Sequence, residues 1–514
     1  MSTSKRLISG TLASWAKILI IFLAQMALVP LYLTYWNVQI YGLWVAVQAL
    51  LSVMSTLDLG HQNFIGYELF KFGHDEKREL ALNLWSACVI AVILGCLQLL
   101  FIIIFNVTGI LPRLLDLRSV HDIELIHEAG WALFWQGLAG VICVSIGGLL
   151  SRALSPYGYF ARMAWWGVLY SIITITIPAI AVIFGANLLW AGFVAGCATI
   201  IYYIPFYFEI YRLYKKENIR LIRPSFKLGI NNFIKSLILS LRGLLENARQ
   251  QGARLLLVPL VGASGLAAFS TMRTGANVAL QGLGTITNPL LPELMRFLKN
   301  RDQPRAEAAF ATVWIVLIAL IAPAVVILQV FIEPFFSTWT RGRIVFDPLL
   351  FAIFSQSILV FAVAQPAMAI MEGNNLLRPQ LVISAITAII VIGGIVLLVP
   401  VIGIKGGGIV LLIAEITATK GYRNVAKKWL NDNNLSWPQQ SSNIAVTSVC
   451  ISAIAMALMI WQPTFKWLIL PVSLFFLYWN CYRYLKALPG PAVQQIKNIV
   501  SKLPILKKYL HSNT

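Results

Sequence analysis

"YGLWVAVQALLSVMSTLDLGHQNFIGYELFKFGHDEKRELAL", residues 41–82, is answered by "SGLAAFSTMRTGANVALQGLGTITNPLLPELMRFLKNRDQPRAEAA", residues 264–309. Each stretch opens on Gly-Leu, at Gly42-Leu43 and at Gly265-Leu266. Each runs through apolar sequence to a glutamate, a basic residue and a polar hairpin: Glu68 and Lys71 in the first, Glu293 and Arg296 in the second. An apolar span follows both hairpins. Upstream, Lys5-Arg6-Leu7 and Phe226-Lys227-Leu228 stand at similar distances from the Gly-Leu pairs. Repetition on this scale bears on the architecture of the whole chain.

The surrounding sequence says in what solvent that architecture folds. Of 514 residues, 59% are hydrophobic and only 12% charged, where a soluble chain carries about 25% charged residues. A transmembrane helix needs roughly 20 mostly apolar residues. Hydropathy places about fourteen such spans, near 8–35, 40–66, 81–107, 128–151, 162–185, 187–211, 231–261, 264–295, 308–333, 347–371, 378–400, 403–425, 444–462 and 465–486. The expected fold is therefore an all-α polytopic membrane protein. The net charge of +20 sits mostly in short connections and the C-terminal tail. With the N-terminus in the cytoplasm, the inner connections collect Lys71, Lys77, Arg78, Arg152, Arg162, Lys215, Lys216, Arg301, Lys427 and others, and the outer ones very few. Both termini are thus expected to be cytoplasmic. The basic charge reads as topology and contact with anionic lipid, not nucleic-acid binding. A helical pattern between Ala492 and Leu510, interrupted by Pro504, reads as a basic amphipathic tail on the inner membrane surface.

Six spans separate the repeated stretches, an even number, so both copies point the same way. This predicts a six-helix lobe over 1–223, a second over 224–430, and two accessory helices with a tail over 431–514. Repeats of this parallel kind place a transport site between lobes.

The span opening the second lobe is unusual. "SLILSLRGLLENARQQGARLLLVPLV", residues 236–261, carries Arg242, Glu246, Arg249 and Arg254 at membrane depth. Each buried charge costs about 2.5–3.5 kcal/mol on insertion scales, so such residues face a protein interior. Arg242 and Glu246 are four apart, a structural pairing, which leaves Arg249 and Arg254 as surplus cations. Arg273 and Lys17 add positive charge from neighbouring spans. The five cations, Arg249, Arg254, Arg273, Arg242 and Lys17, are the candidate lining of an anion site, because guanidinium forks suit phosphate oxygens. Interhelical salt bridging is the competing reading. Glu415, Asp58 and Glu246 are candidate carriers of a coupling proton or sodium ion; for Asp58 a cap or hairpin contact competes. Glu68 with Lys71, and Glu293 with Arg296, are candidate inner gates or plain solvated pairs. The aromatics Trp15, Tyr32, Tyr35, Trp36, Tyr41 and Trp44 read as an interfacial belt or a sugar-stacking outer mouth.

No P-loop, H-E-x-x-H or C-x-x-C occurs, and the six cysteines are scattered through apolar runs. His121, Asp122, Glu124 and His127 share an outer connection, read as a solvated loop before a metal site. No enzyme activity and no resident metal or cofactor is expected.

The order of a basic N-terminus, Gln25 and Pro30 in the first span, "YGLW", "LDLG" at Leu57–Gly60 and the hairpin after Glu68 resembles the polysaccharide-transporter branch of the MOP superfamily, the Wzx-type flippases. The resemblance covers about the first 430 residues. It implies a MATE-like V of two six-helix lobes in a bacterial inner membrane. It also implies an oligosaccharide on a polyprenyl pyrophosphate as substrate, moved to the outer leaflet for O-antigen or lipopolysaccharide synthesis. Implied partners are membrane lipids and the polysaccharide polymerase and chain-length machinery. Three alternatives stand beside it. A multidrug exporter of the same superfamily would favour acidic linings. A lipid II flippase would carry an arginine-rich first span, where this chain has Lys17 alone. A membrane glycosyltransferase or polymerase would need acidic residues in the first outer turn.

Overall fold

The computed structural model describes residues 3–72, 76–111, 123–374 and 376–488. Among these, every regular element is a helix. In lipid a spanning segment must satisfy its own backbone hydrogen bonds, which helices do internally. In order they are α1 (Thr3–Tyr35), α2 (Val38–Met54), α3 (Thr56–Phe72), α4 (Lys77–Val107), α5 (Ile123–Ala139), α6 (Ile146–Ala153), α7 (Phe160–Ile183), α8 (Leu188–Glu217) and α9 (Phe226–Asn247). Then follow α10 (Ala253–Lys299), α11 (Gln303–Val316), α12 (Ala322–Trp339), α13 (Pro348–Gly373), α14 (Leu377–Ile402), α15 (Ile404–Asp432), α16 (Gln439–Trp461) and α17 (Lys466–Lys486). Single π turns join α5 to α6 (Gly140–Ser145), α9 to α10 (Ala248–Gly252) and α11 to α12 (Leu317–Ile321). Side-chain caps set several starts: Asn37 accepts from the Ile40 amide, Asn187 from that of Trp190, and Asp347 from those of Leu349 and Leu350.

Each predicted span has its helix, but fewer pass as apolar crossings. Among the described residues ten are long and apolar enough, or eleven if the pair α2 and α3, bent by 43°, is one span. Two causes account for the difference. The predicted spans at 231–261 and 264–295 share one apolar stretch, Ser240–Asn277. Helices α15 and α17 are diluted, α15 by Lys405, Glu415, Lys420 and Arg423, and α17 by Trp, Tyr, Asn480 and Arg483. The predicted amphipathic tail lies outside the described residues.

Packing gathers the chain into two compact units. The first comprises residues 1–271, 339–344 and 391–407. Here α1 packs on α7, α5 on α8, and α9 on α3 and α4. Its core includes Leu69, Leu84, Leu149, Tyr202, Tyr203 and Phe206. The glycines of the two sequence motifs permit backbone contact. A Cβ on Gly42 would stand 1.9 Å from the Ala263 carbonyl oxygen, and one on Gly60 would stand 2.5 Å from Ser240 Cα. The segment 339–344 docks here too: Trp339 Nε1 donates to the Met26 carbonyl at 2.7 Å and Arg343 Nη1 to that of Trp36 at 2.9 Å. Arg343 thereby satisfies a carbonyl just past the C-terminus of α1.

The second unit comprises 272–338, 345–390 and 408–514. Helix α16 packs against α13 and α17. Trp314 is fully buried and its Nε1 donates to the Val363 carbonyl at 3.2 Å. Tyr484 of α17, also fully buried, donates to the Ala311 carbonyl at 3.0 Å. The last helices are therefore integral to this unit.

Candidate functional site

The charged helix is held in the first unit by a polar seam. Asn232 Nδ2 donates to Asn83 Oδ1 at 2.9 Å, Ser236 Oγ lies 3.3 Å from His61 Nδ1, and Asn247 Nδ2 donates to Thr56 Oγ1 at 2.6 Å. These groups, with the close approach at Gly60, let α9 press its polar residues onto α3 and α4, where lipid would leave them unsatisfied. The expected surplus of cations then divides. Arg249 is buried and its Nη2 pairs with Glu246 Oε1 at 2.6 Å; Gln250 Nε2 reaches the same oxygen at 3.3 Å. Arg249 is thus neutralised, contrary to expectation, by the acid three residues before it. Arg254, one turn further, has no carboxylate partner among the described residues. Its Nη1 donates to Gln251 Oε1 at 3.0 Å, while its Nε is buried without an acceptor. Arg242 is half-buried and engaged with a neighbour. The segment Arg242–Arg254 carries three guanidiniums and one carboxylate, so the expected net positive charge stands.

The same unit holds a half-open cavity of about 460 Å³, with several polar groups set in a largely apolar wall. Residues on both sides of the α2–α3 bend line it, together with α4, α5, the π turn that follows α5, α7 and α8. Asp58 is buried on its wall. Its Oδ2 accepts from Gln62 Nε2 at 2.8 Å, and Gln62 Oε1 accepts from Arg152 Nη1 at 2.7 Å. Arg152 also donates to Asn63 Oδ1 at 2.7 Å and to the Gly148 carbonyl at 2.9 Å. Asp58 Oδ1 is buried with no hydrogen-bond partner. Asp58 therefore belongs to an interior network and a cavity wall, and is not merely a cap. Sequence reasoning missed Arg152, which it counted as a loop charge. The faint signal was glycine placement: a Cβ on Gly66 would stand 2.9 Å from Arg152 Cδ, and one on Gly148 2.0 Å from Gln62 Oε1. Across the cavity, Gln48 Nε2 donates to Gln136 Oε1 at 3.0 Å, while Gln98 makes no hydrogen bond to the protein among the described residues.

The remaining candidates scatter. Lys17 is exposed on α1. Arg273 and Glu415 lie in the second unit, half-buried and buried respectively, each engaged with a neighbour. Lys71 pairs with Glu68 at 2.5 Å and is largely exposed, an ordinary helical pair. The side chains of Glu293 and Arg296 lie outside the described residues, as do His121 and Asp122. His127 accepts from Trp131 Nε1 at 3.3 Å, and among the described residues no cluster of three metal-binding side chains occurs. The aromatic belt splits in two. Tyr32, Trp36, Tyr41 and Trp44 are buried against one another, with Tyr32 and Trp36 stacked at 5.1 Å, so they form no open sugar mouth. Trp15 and Tyr35 are exposed.

No family model and no curated protein matches the chain. Solved structures do. The lipid II flippase MurJ, in an inward closed conformation, aligns with a TM-score of 0.62 at 12% identity, covering 92% of this chain and 99% of that one. A MOP superfamily transporter from Pyrococcus furiosus, described as having a binding pocket of reversed polarity, aligns at 0.58 with 13% identity, covering 84% and 97%. A mutant of the Vibrio cholerae MATE transporter VcmN aligns at 0.56 with 16% identity, covering 83% and 97%. The fold is thus that of MATE and MurJ transporters, in a multi-pass membrane protein.

Proposed function

We propose that this protein is a flippase that moves an anionic, polyprenyl-pyrophosphate-linked oligosaccharide from the inner to the outer leaflet of a bacterial cytoplasmic membrane. The observation that carries this reading is Arg254. A guanidinium with a buried, unaccepted Nε–H and no carboxylate is costly in a membrane protein, and an arriving phosphate oxygen would offset that cost. Arg242 and Arg249 on the same segment add to the field. Transport proceeds by alternating access of two six-helix lobes, 1–223 and 224–430, without covalent chemistry. The drug-exporter alternative fits less well, since organic cations would meet this positive segment unfavourably. A proton or sodium ion carried at the buried carboxylates Asp58 or Glu415 drives the cycle. A second reading, transport of lipid II itself, is supported by the larger share of this chain that the MurJ fold covers.

The test is leaflet-resolved transport in proteoliposomes with lipid-linked oligosaccharide or lipid II, with and without proton and sodium gradients. Arg254→Ala should abolish transport while folded protein remains in the membrane, and Arg254→Lys should retain a fraction of it. Unchanged flux in Arg254→Ala would remove the anion site. Movement of lipid II alone would select the second reading.

A further inference from the structure

We propose that the cavity of the first unit is a glycosyl-binding site that receives the sugar adjoining the pyrophosphate held at Arg254. This rests on the flippase reading above and names the group that the same unit recognises.

The chemistry of the lining selects the ligand class. At about 460 Å³ the cavity falls within the ~300–1,000 Å³ typical of small-molecule sites. Like most such sites its wall is largely apolar, and a few convergent polar groups set what it can recognise. Gln48, Gln98 and Gln136 converge on it from α2, α4 and α5, with serine and threonine hydroxyls between them. Amides and hydroxyls both donate and accept, which is what a ring of vicinal hydroxyls requires. Asp58 Oδ1, which accepts no hydrogen bond among the described residues, stands on the same wall beside Ser145 and can accept from a further hydroxyl. Trp44 and Tyr170 supply aromatic surface for the C–H face of a sugar ring. No lysine or arginine lines the cavity, which disfavours a phosphate inside it. A bare cation would leave most of the volume unused, and an apolar drug would strand the amides.

Position ties the cavity to the cationic helix. Ser52 and Ser55 line it, and the Ser52 carbonyl accepts from Thr56 Oγ1 at 2.9 Å. Thr56 Oγ1 in turn accepts from Asn247 Nδ2 at 2.6 Å, two residues before Arg249. The α2–α3 bend therefore joins the cavity to the charged segment 242–254 within one packed unit.

The experiment measures equilibrium binding to the full chain in lipid nanodiscs. The probes are undecaprenyl pyrophosphate, the same lipid bearing one glucose, galactose or N-acetylglucosamine, and the three free sugars. At least one glycosylated lipid should bind about tenfold more tightly than the sugar-free lipid, equivalent to ~1.4 kcal/mol. Gln98→Leu, which breaks no protein hydrogen bond, and Gln136→Ala should both bring the glycosylated lipid down to sugar-free affinity. Arg254→Ala should weaken all four lipids. Glycosylated and sugar-free lipids binding within twofold of each other would overturn the glycosyl site and leave the flippase reading intact. Free sugars that bind and are lost in Gln98→Leu, with no lipid bound, would keep the site and refute the flippase reading. Binding of no probe would overturn both.

Discussion

Replacing Gly42 by alanine tests the packing from which the candidate site is built. The new Cβ would stand 2.5 Å from the Ala263 carbonyl carbon and 1.9 Å from its oxygen. Carbon pairs are comfortable at ~3.5–4.0 Å, so the overlap is about 1 Å. The obstruction is backbone, and it follows Gly262, whose φ of 72° marks a break inside α10. No rotamer change relieves it; α2 must move, or the break must be rebuilt. Overpacking of this kind costs about 1–3 kcal/mol, and rigid backbone puts Gly42→Ala at the upper end. Alanine returns up to ~1 kcal/mol of helix propensity, for a net loss of roughly 2 kcal/mol. Gly167→Ala is the matched control: its Cβ would meet nothing within 4 Å, so it collects the propensity gain without the clash. The two variants should differ by about 3 kcal/mol, on the order of 100-fold in the unfolding equilibrium. Unfolding in mixed micelles with rising SDS, followed by tryptophan fluorescence, reads the difference. A Gly42→Ala midpoint at or above that of Gly167→Ala would refute the close approach and the packing of the arginine segment that depends on it.

Arg249→Met should lower stability in the same assay by about 1–2 kcal/mol, less than for a fully buried pair, because Glu246 is 41% exposed. Adding Glu246→Gln should recover most of it; no recovery would show that Arg249 acts through other contacts. Tyr484→Phe removes the hydrogen bond from α17 to the Ala311 carbonyl and should cost about 1–2 kcal/mol. A neutral result would mean that α17 is not docked on α11. In native membranes an apolar maleimide should modify Cys96 and Cys450, which are exposed, well before the buried Cys88 and Cys143, as peptide mass mapping would show. The reverse order would contradict the assigned helix faces.

Much of the candidate site follows from local rules, and the rest does not. The three arginines on 242–254 were legible because a charge inside an apolar run is an anomaly in any fold. Their division was not. Which arginine meets Glu246 depends on a π turn of five residues, Ala248–Gly252, that hydropathy does not register. Asp58 was legible as a candidate carrier or a hairpin contact, yet its environment comes from Arg152 of α6, through Gln62, and from the helices that share the cavity wall. Arg152 was misjudged because positive-inside counting treats every basic residue at a helix end as a loop charge. Only the slots at Gly66 and Gly148 turn it inward.

By itself the sequence determined the solvent, the helical class and the approximate positions of the spans. Those depend on transfer energy and backbone hydrogen bonding, which act over one segment at a time. It also determined that the arginine segment had to find a protein interior. The tertiary structure alone decided what that interior is: a polar seam against α3 and α4, an ion pair at Arg249, a guanidinium at Arg254 with no carboxylate partner among the described residues, and a cavity lined from both sides of the α2–α3 bend. These are distances between residues far apart in the chain. They are set by a few glycines that admit a neighbouring backbone, and apolar periodicity carries no record of which backbone that is.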